Sequence, residues 1–359
     1  MHSSVSLTAA LVSTLSITSL ASGRLVGIPT VPFNMSSGSG LLSIQNVTAI
    51  VVDTQFSHTT DTNGTTLIPP SLQQFATTFA ADLQSYLGQD VNVLSDSQNQ
   101  IGQIFLTLGQ PSDFVDAAGR PTSEGYKLTV TGEGITITGS SPLGTWWGTR
   151  TILQQAALGN GSIPFGSAVD SPGWGIRGVM LDAGRHYYPP GFIIEICSYL
   201  SFFKQNTFHL HLSDNLIFSA SSYTAQQSLE LYAAFRLKSD DSAVAGLDTR
   251  ANESYTKSDF ENIQKSCASR GVTIVPELEM PGHALVISQW KPEIGLSNDL
   301  SLLNLSHPET APTCTAIWKA FLPWLYSKTV HIGADEYSDP QLSGVWVAAL
   351  IITIKSLLC

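Results

Sequence analysis

The chain has 359 residues, of which 43% are hydrophobic and only 13% are charged. This length suggests two domains, and the low charge with the high apolar content argues against intrinsic disorder. The formal net charge is −11, from 17 basic and 28 acidic residues, which argues against a nucleic-acid partner and against binding to anionic membranes. Four cysteines are too few for a small disulfide scaffold, and the sequence leaves their pairing open.

Residues 1–23 predict a secretory signal peptide. They contain no Asp, Glu, Lys or Arg, and an apolar stretch from Leu7 to Leu20 is followed by the small residues 21–23. A Ser/Thr-rich tail is the alternative. No other segment reaches the roughly 18–20 apolar residues that span a bilayer. Six glycosylation sequons favour secretion. They begin at Asn34, Asn46, Asn63, Asn160, Asn252 and Asn304.

Residues 24–170 predict a small α+β domain. Short β-like runs at 47–52, 91–94 and 104–108 accompany a helix-like segment at 72–87. Two alternating segments, 126–131 and 135–139, are separated by a Gly-Glu-Gly turn, which is typical of a β-hairpin. A helix is predicted at 144–158. Strands and helices mixed in this way indicate an α+β arrangement.

Residues 171–340 show another pattern, in which four short apolar runs each end in acidic residues or His. The runs begin at 179, 207, 272 and 330, with helices predicted at 192–203 and from a capping box at 258–261 to Gly271. Strands that alternate with helices predict a parallel sheet and an α/β fold. Polar residues at the carboxyl ends of apolar strands are typical of a (β/α)8 TIM-type barrel. Only about the first four β/α units are identifiable.

Asp335 and Glu336 are the sharpest chemical feature of the chain. Two adjacent carboxylates at the end of an apolar strand repel each other by about 1 kcal/mol in water and by more in a partly buried site. Enzymes use such crowding to obtain a general acid near neutral pH. A solvated boundary between a strand and a loop is the alternative, and these two residues alone do not separate the two interpretations.

Other polar residues flank the predicted strands. An Arg at a barrel mouth suits hydrogen bonds to vicinal hydroxyls or to a carboxylate, and Arg177 and Arg185 are candidates, although a surface pair with a neighbouring acid is favoured for Arg185. His209 and His211 share one strand face, which raises a metal-dependent hydrolase as the weakest interpretation. No second His cluster at ligand spacing supports it. No metal and no other cofactor is predicted.

A further group of titratable residues lies in the segment 276–283. Glu277 and Glu279 alternate onto one face of the predicted strand. The Pro-Gly turn that follows is expected to bring His283 back over the strand's end. Three such groups at one place form a supporting layer that positions an acid.

Four motifs together resemble the family 20 glycoside hydrolases, the β-N-acetylhexosaminidases. They read RGVMLDAGRH at 177–186, HLHLSD at 209–214, PELEMPGH at 276–283 and HIGADE at 331–336. The stretch 126–155 resembles the end of the family's non-catalytic domain, so the resemblance covers about 46–340. It implies hydrolysis of terminal GlcNAc or GalNAc from glycans or chitin fragments by a substrate-assisted retaining mechanism. A secreted fungal member is the expected source.

The resemblance also implies roles for individual residues. Glu336 would be the general acid/base, and Asp335 would orient the acetamido group of the substrate. Arg177 matches the Arg that binds sugar hydroxyls. Asp214 and His283 match positions that support the acidic pair.

Two departures from the family pattern are visible. Glu279 stands where the family usually has Asp, a longer arm that we expect to be tolerated. The family continues for four more barrel strands after the acidic pair, whereas this chain ends at Cys359, and residues 341–359 are predicted to be a tail outside the family pattern. A C-terminally truncated product is expected, so an inactive fragment with weak sugar binding is the main alternative to an active enzyme. A homodimer is left open for a full-length form.

Overall fold

The computed structural model describes residues 24–25, 27–36, 40–98, 100–110, 114–217 and 220–337. The predicted signal peptide at 1–23 and the predicted tail at 341–359 lie outside these residues, and both stay predictions. The described part contains two hydrophobic cores, one built from residues before 170 and one built almost entirely from residues after 180. None of the described helices is long and apolar enough to cross a membrane.

The first part of the chain forms a mixed sheet with two helices. The strands are β1 (Arg24–Leu25), β2 (Val31–Pro32), β3 (Asn34–Met35), β4 (Leu41–Ser43), β5 (Ala49–Asp53), β6 (Asn92–Asp96), β7 (Gln103–Leu108), β8 (Tyr126–Val130), β9 (Gly134–Gly139), β10 (Ser162–Pro164) and β11 (Gly166–Asp170). The helices are α1 (Leu72–Leu87) and α2 (Pro142–Leu158). The order of the strands in the sheet is β3-β11-β8-β9-β7-β5-β6, and the predicted hairpin is confirmed by the antiparallel β8–β9 pair.

Helix α2 is the central element between the two cores. It begins two residues before the predicted start, because Ser141 caps the helix and Pro142 occupies its first turn. Its Trp146 and Trp147 are almost fully buried. The indole N–H of Trp146 donates to the Arg270 carbonyl at 2.8 Å. This hydrogen bond ties the first part of the chain to the second.

The strands of the second part are β12 (Gly178–Asp182), β13 (Thr207–His211), β14 (Ser213–Asn215), β15 (Ala233–Phe235), β16 (Thr273–Glu277), β17 (Gly295–Leu296) and β18 (Asp299–Leu303). Three of them form a parallel sheet of order β12-β13-β16, which confirms the predicted α/β class. The helices of the second part are α3 (Pro190–Phe202), α4 (Ala225–Leu229), α5 (Lys257–Ala268), α6 (Leu285–Trp290) and α7 (Thr310–Phe321). Among the described residues only β13 pairs with β12, and Met180 of β12 is 57% exposed.

Two local predictions are wrong. The capping box of α5 is formed by Thr256 and Asp259, two residues before the predicted one, because the Thr256 hydroxyl accepts from the Asp259 N–H and the Asp259 carboxylate accepts in return. The predicted fourth strand is a single bridge between Glu277 and His331. The chain turns away at Gly333, whose φ is +64°, before a ladder forms.

The structure also shows which cysteines pair, a point that the sequence leaves open. Cys197 of α3 and Cys267 of α5 form a disulfide across 70 residues, and both are fully buried. Cys314 is free and buried. The disulfide joins the two helices that cover the parallel sheet.

Candidate active site

The carboxyl ends of the three parallel strands lie side by side. In the observed register, Asp182 of β12, His211 of β13 and Glu277 of β16 are neighbours. Because parallel strands end at the same edge of a sheet, the polar residues that follow them meet there. The structure brings together Asp214, Glu279, His283, Asp335 and Glu336 at this edge.

His211 is a buried cation between two carboxylates. It donates from Nδ1 to Glu277 Oε2 at 2.5 Å and from Nε2 to Asp214 Oδ2 at 2.6 Å. Burial opposes the charge, but the hydrogen bonds to Asp214 and Glu277 raise the pKa of His211 to about 10. Burial likewise opposes ionisation of Asp214, and the bonds from His211 and His283 nevertheless lower its pKa to about 2. His211 and Asp214 therefore carry fixed charges near neutral pH.

His283 connects this buried layer to Glu336. Its Nδ1 donates to Asp214 Oδ1 at 3.1 Å, and its Nε2 lies 3.3 Å from Glu336 Oε2. The hydrogen bond to Asp214 raises the pKa of His283 in spite of burial. The side chain of Glu336 is 78% exposed, so its carboxylate is held at the edge and open to a ligand. The expected return of His283 over the strand end is confirmed.

Glu279 lies beneath Asp335. It is 3% exposed, and its Oε2 has no hydrogen-bond partner among the described residues. Burial, followed by the hydrogen bond with Asp335 and the charge of Glu277, raises the pKa of Glu279 to about 9. A Cβ on Gly333 would lie 1.9 Å from Glu279 Oε2, so only glycine leaves room for this carboxyl. Glu279 is therefore a neutral acid against which Asp335 is placed.

A strained turn explains how two adjacent carboxylates come to lie on the same side of the chain. Ala334 has φ +67° and Glu336 has φ +52°, both in the left-handed region that disfavours residues with a Cβ. In a regular strand neighbouring side chains point to opposite faces. Here the turn places a carboxylate oxygen of Asp335 and one of Glu336 within 4.8 Å of each other and of His283.

The structure does not bring Arg177 to this edge, which corrects the sugar-binding role predicted for it. Arg177 precedes β12, and the five residues of the strand, roughly 16 Å, separate it from the carboxyl end. Its guanidinium bonds Glu124 Oε2 at 2.6 Å and the Lys204 carbonyl at 2.9 Å. Arg177 therefore braces the contact between the two cores.

Arg185 forms the ion pair with a neighbouring acid that the sequence favours, and it faces the cluster as well. Its Nη1 lies 2.9 Å from Asp182 Oδ2, and its Nη2 lies 2.8 Å from the buried Asp214 Oδ2 and 3.3 Å from His283 Nδ1. The side chain is 39% exposed. The signal for this placement is the direction of the strand, since Arg185 follows the carboxyl end and Arg177 precedes the amino end.

A second His–carboxylate group lies alongside and was not predicted as a unit. Glu277 accepts from His209 Nε2 at 2.8 Å, and His331 Nδ1, which accepts from the Gly333 N–H, lies 2.5 Å from Glu277 Oε1. The two imidazoles stack with centroids 4.8 Å apart. Two imidazoles and one carboxylate are a ligand set that zinc accepts. Both rings already contact Glu277 directly, through Nε2 of His209 and Nδ1 of His331.

Comparison with known proteins identifies the family. Residues 174–347 match the model of the glycosyl hydrolase family 20 catalytic domain, and residues 40–171 match the model of domain 2 of the same family. A beta-hexosaminidase of Akkermansia muciniphila is 27% identical, over 60% of this chain and 45% of that protein. Beta-hexosaminidase subunit A1 of Dictyostelium discoideum is 25% identical, over 62% of this chain and 40% of that protein. The chain thus spans less than half the length of these curated relatives.

Solved structures show the same fold. The family 20 beta-N-acetylhexosaminidase from Streptomyces coelicolor superposes with a TM-score of 0.67 at 23% identity, over 92% of this chain and 63% of that one. The chitobiase from Flavobacterium johnsoniae superposes with a TM-score of 0.68 at 22% identity, over 93% of this chain and 51% of that one. With both family models matched in order along most of its length, the chain belongs to glycosyl hydrolase family 20.

Proposed function

We propose that this chain acts as a β-N-acetylhexosaminidase, which hydrolyses terminal non-reducing GlcNAc or GalNAc residues of glycans. One observation carries the proposal. Asp335 and Glu336 stand on one turn at the carboxyl edge of the parallel sheet, where a carboxylate oxygen of each and a ring nitrogen of His283 lie within 4.8 Å of one another. A mechanism that uses the substrate's own acetamido group needs two carboxylates this close together, because one must reach the glycosidic oxygen and the other the acetamido group.

The two carboxylates have complementary roles in this mechanism. As the bond from the anomeric carbon to the leaving oxygen breaks, Glu336 donates a proton to that oxygen and the acetamido oxygen attacks the anomeric carbon. Asp335 accepts a hydrogen bond from the acetamido N–H and balances the positive charge of the oxazolinium ion. Glu336 then takes a proton from water, which attacks the anomeric carbon and breaks its bond to the acetamido oxygen, so that the configuration is retained.

The surrounding residues support these roles. The Asp214–His283 pair holds the Glu336 carboxylate, and buried charges that are fixed in advance need no reorganisation during the reaction. Arg185 is partly exposed at the same edge and offers its fork of donors to sugar hydroxyls.

Substitution of the two carboxylates tests the proposal on a chromogenic N-acetyl-β-glucosaminide. Glu336→Gln is expected to reduce turnover by about 10²–10⁴, the usual contribution of a general acid. Asp335→Asn should also reduce turnover, because the amide no longer balances the positive charge. Glu195→Gln, an exposed glutamate on α3, is the matched control and should turn over like the unchanged chain. Equal activity in all four proteins would refute the assignment.

A sugar-binding chain without turnover is the second candidate. Among the described residues β12 pairs with β13 alone, and the exposed Val179 and Met180 on this strand favour it. A soluble chain that binds GlcNAc but never releases the chromophore would establish this candidate. A metal-dependent hydrolase built on the His209–Glu277–His331 group is the third, and it requires that activity disappear on chelation and return with zinc.

We infer that the protein is secreted and glycosylated. The buried Cys197–Cys267 disulfide supports an oxidising compartment. Five of the six sequon asparagines are exposed, while Asn304 is half-buried and its side-chain oxygen accepts from the Ser306 N–H. Expression in a secreting eukaryotic host should yield a chain that loses mass on treatment with an N-glycanase. An intracellular product without that mass shift would contradict the inference.

The expected source, chain end and assembly stay proposals. A fungal origin has no support from the relatives described above, which come from a bacterium and from Dictyostelium discoideum. Sequencing the transcript across codons 335–359 tests the proposed truncation, because an in-frame continuation would show that the chain end is an artefact. Light scattering on the purified protein tests the homodimer.

A further inference from the structure

A second groove lies between the two cores, on the side of the amino end of β16. It has a volume of about 500 Å³ and is walled by helices α1, α2 and α3 and by the loop after α5. This volume lies within the range of small-molecule sites in proteins. The residues that matter are Asp82, Tyr86, Arg150, Tyr199, Phe203 and Arg270. None of them belongs to the cluster around Glu336.

The groove holds an excess of positive charge. Asp82 accepts from Arg150 Nη1 at 2.5 Å and from Arg270 Nη1 at 3.0 and 3.2 Å, so one carboxylate serves two guanidinium groups. This local excess of positive charge contrasts with the net charge of the whole chain, which is −11. Burial lowers the pKa of Arg150 to about 10 in spite of its ion pair with Asp82. One carboxylate therefore leaves the pair of arginines under-neutralised.

The same two arginines have unused hydrogen-bond donors. Arg150 is 2% exposed, and its Nη2 has no partner among the described residues. Arg270 uses only Nη1 within the described part of the chain, and its side chain is 25% exposed. A guanidinium with free donors binds an oxyanion through two parallel hydrogen bonds. Arg270 is the accessible member of the pair, and Arg150 adds buried charge behind it.

Exposed aromatic rings line the opening. Tyr199 is 62% exposed, Phe203 is 41% exposed and Tyr86 is 40% exposed. The hydroxyl of Tyr86 donates to the Ala156 carbonyl at 2.6 Å, which fixes its ring. Aromatic faces bury large apolar area at low entropic cost, and the C–H face of a pyranose is a matching flat apolar surface. Rings at the opening and guanidinium donors at the base suit a ligand with one flat face and one oxyanion.

We propose that this groove binds an acidic sugar, a pyranose that carries a carboxylate or a sulfate ester. The oxyanion lies on Arg270, backed by Arg150, and the ring lies on Tyr199. An anionic lipid surface is a poorer match, because membrane attraction needs a cluster of basic residues and the chain is strongly acidic. The proposal is independent of whether the chain hydrolyses hexosaminides.

Calorimetric titration of the full chain at low salt tests the proposal, with glucuronic acid, glucose 6-sulfate and glucose as probes. At least one acidic probe is expected to bind ten times or more tighter than glucose, and the tighter of the two identifies the oxyanion. Arg270→Gln and Tyr199→Ser should each weaken that binding tenfold or more. Arg120→Gln, which removes an exposed Arg–Asp pair elsewhere, should leave it unchanged.

Three results would overturn the proposal. They are equal or absent binding of acidic and neutral probes, an Arg270→Gln protein that melts like the unchanged chain and binds like it, and tighter binding to phosphatidylserine vesicles than to either acidic sugar. Because Tyr199 is mostly exposed, its Ser variant is expected to fold even if loss of Arg270 disturbs the ion pairs. The measurement does not use turnover, so an inactive chain still gives an answer.

Discussion

Replacing Glu279 with Gln is expected to stabilise the fold at neutral pH. Burial and the neighbouring Asp335 raise the pKa of Glu279 to about 9, from its ordinary value of 4.5. Between these two values the folded chain binds a proton that the unfolded chain releases, so the stability that Glu279 contributes is fully present below pH 4.5 and is lost as pH rises towards 9. Gln has nearly the same shape, donates a hydrogen bond and has no proton to gain.

The size of the effect follows from the same two values. Each pH unit above the unfolded value weakens the fold by about 1.4 kcal/mol, so the limit at pH 7 is about 3 kcal/mol. The amide does not fit the site as well as the neutral acid does, and the expected gain at pH 7 is therefore about 1–3 kcal/mol. Near pH 4 both proteins carry a neutral group at position 279, and the gain should vanish.

Urea unfolding of the unchanged chain and of Glu279→Gln at about pH 4, 5.5 and 7 measures this difference. Glu195→Gln is the control, because Glu195 is exposed on α3. Its urea unfolding curve should coincide with that of the unchanged chain at each pH. A Glu279→Gln protein that is less stable at pH 7, or whose difference from the unchanged chain does not depend on pH, would refute the view of Glu279 as a buried neutral acid.

Three further predictions concern the same framework. Asp214→Asn removes the buried partner of two histidines and is expected to cost about 3–5 kcal/mol in urea unfolding and to reduce turnover; a loss below 1 kcal/mol would speak against the buried ion network. Cys197→Ser should lose about 4 kcal/mol, the entropy of a 70-residue loop, and reductant should then have no further effect on its unfolding. Gly333→Ala places a methyl 1.9 Å from Glu279 Oε2 at φ +64° and should lower the melting temperature; an unchanged melting curve would show that the turn accommodates a side chain.

Periodicity predicted most of the elements that position the site, but not all of them. Alternating residues at 126–139 predict the hairpin, and apolar runs that end in polar residues predict the three paired strands of the parallel sheet and their common polar edge. These features depend on local pattern and on the general rule that parallel strands share a carboxyl edge. The return of His283 follows from the Pro-Gly turn before it.

Features that depend on contacts between distant segments could not be predicted from the sequence. The Cys197–Cys267 pairing and the two arginines on Asp82 depend on how helices pack. The single bridge at His331 follows from a backbone that turns at Gly333, which an apolar run does not reveal. The placement of Arg177 was predictable in principle, because strand direction alone assigns it to the opposite end of β12 from the active edge.

The central claim is that the acetamido group of the substrate acts as nucleophile while Glu336 supplies the proton. The most direct test is kcat/KM of this chain for aryl N-acetyl-β-glucosaminides whose acetamido methyl carries zero, one, two or three fluorines. Because fluorine withdraws electrons from the attacking oxygen, kcat/KM should fall steeply with each fluorine, and Glu336→Gln should abolish turnover of all four. Rates that do not depend on the fluorines, or turnover that survives Glu336→Gln, would contradict the claim.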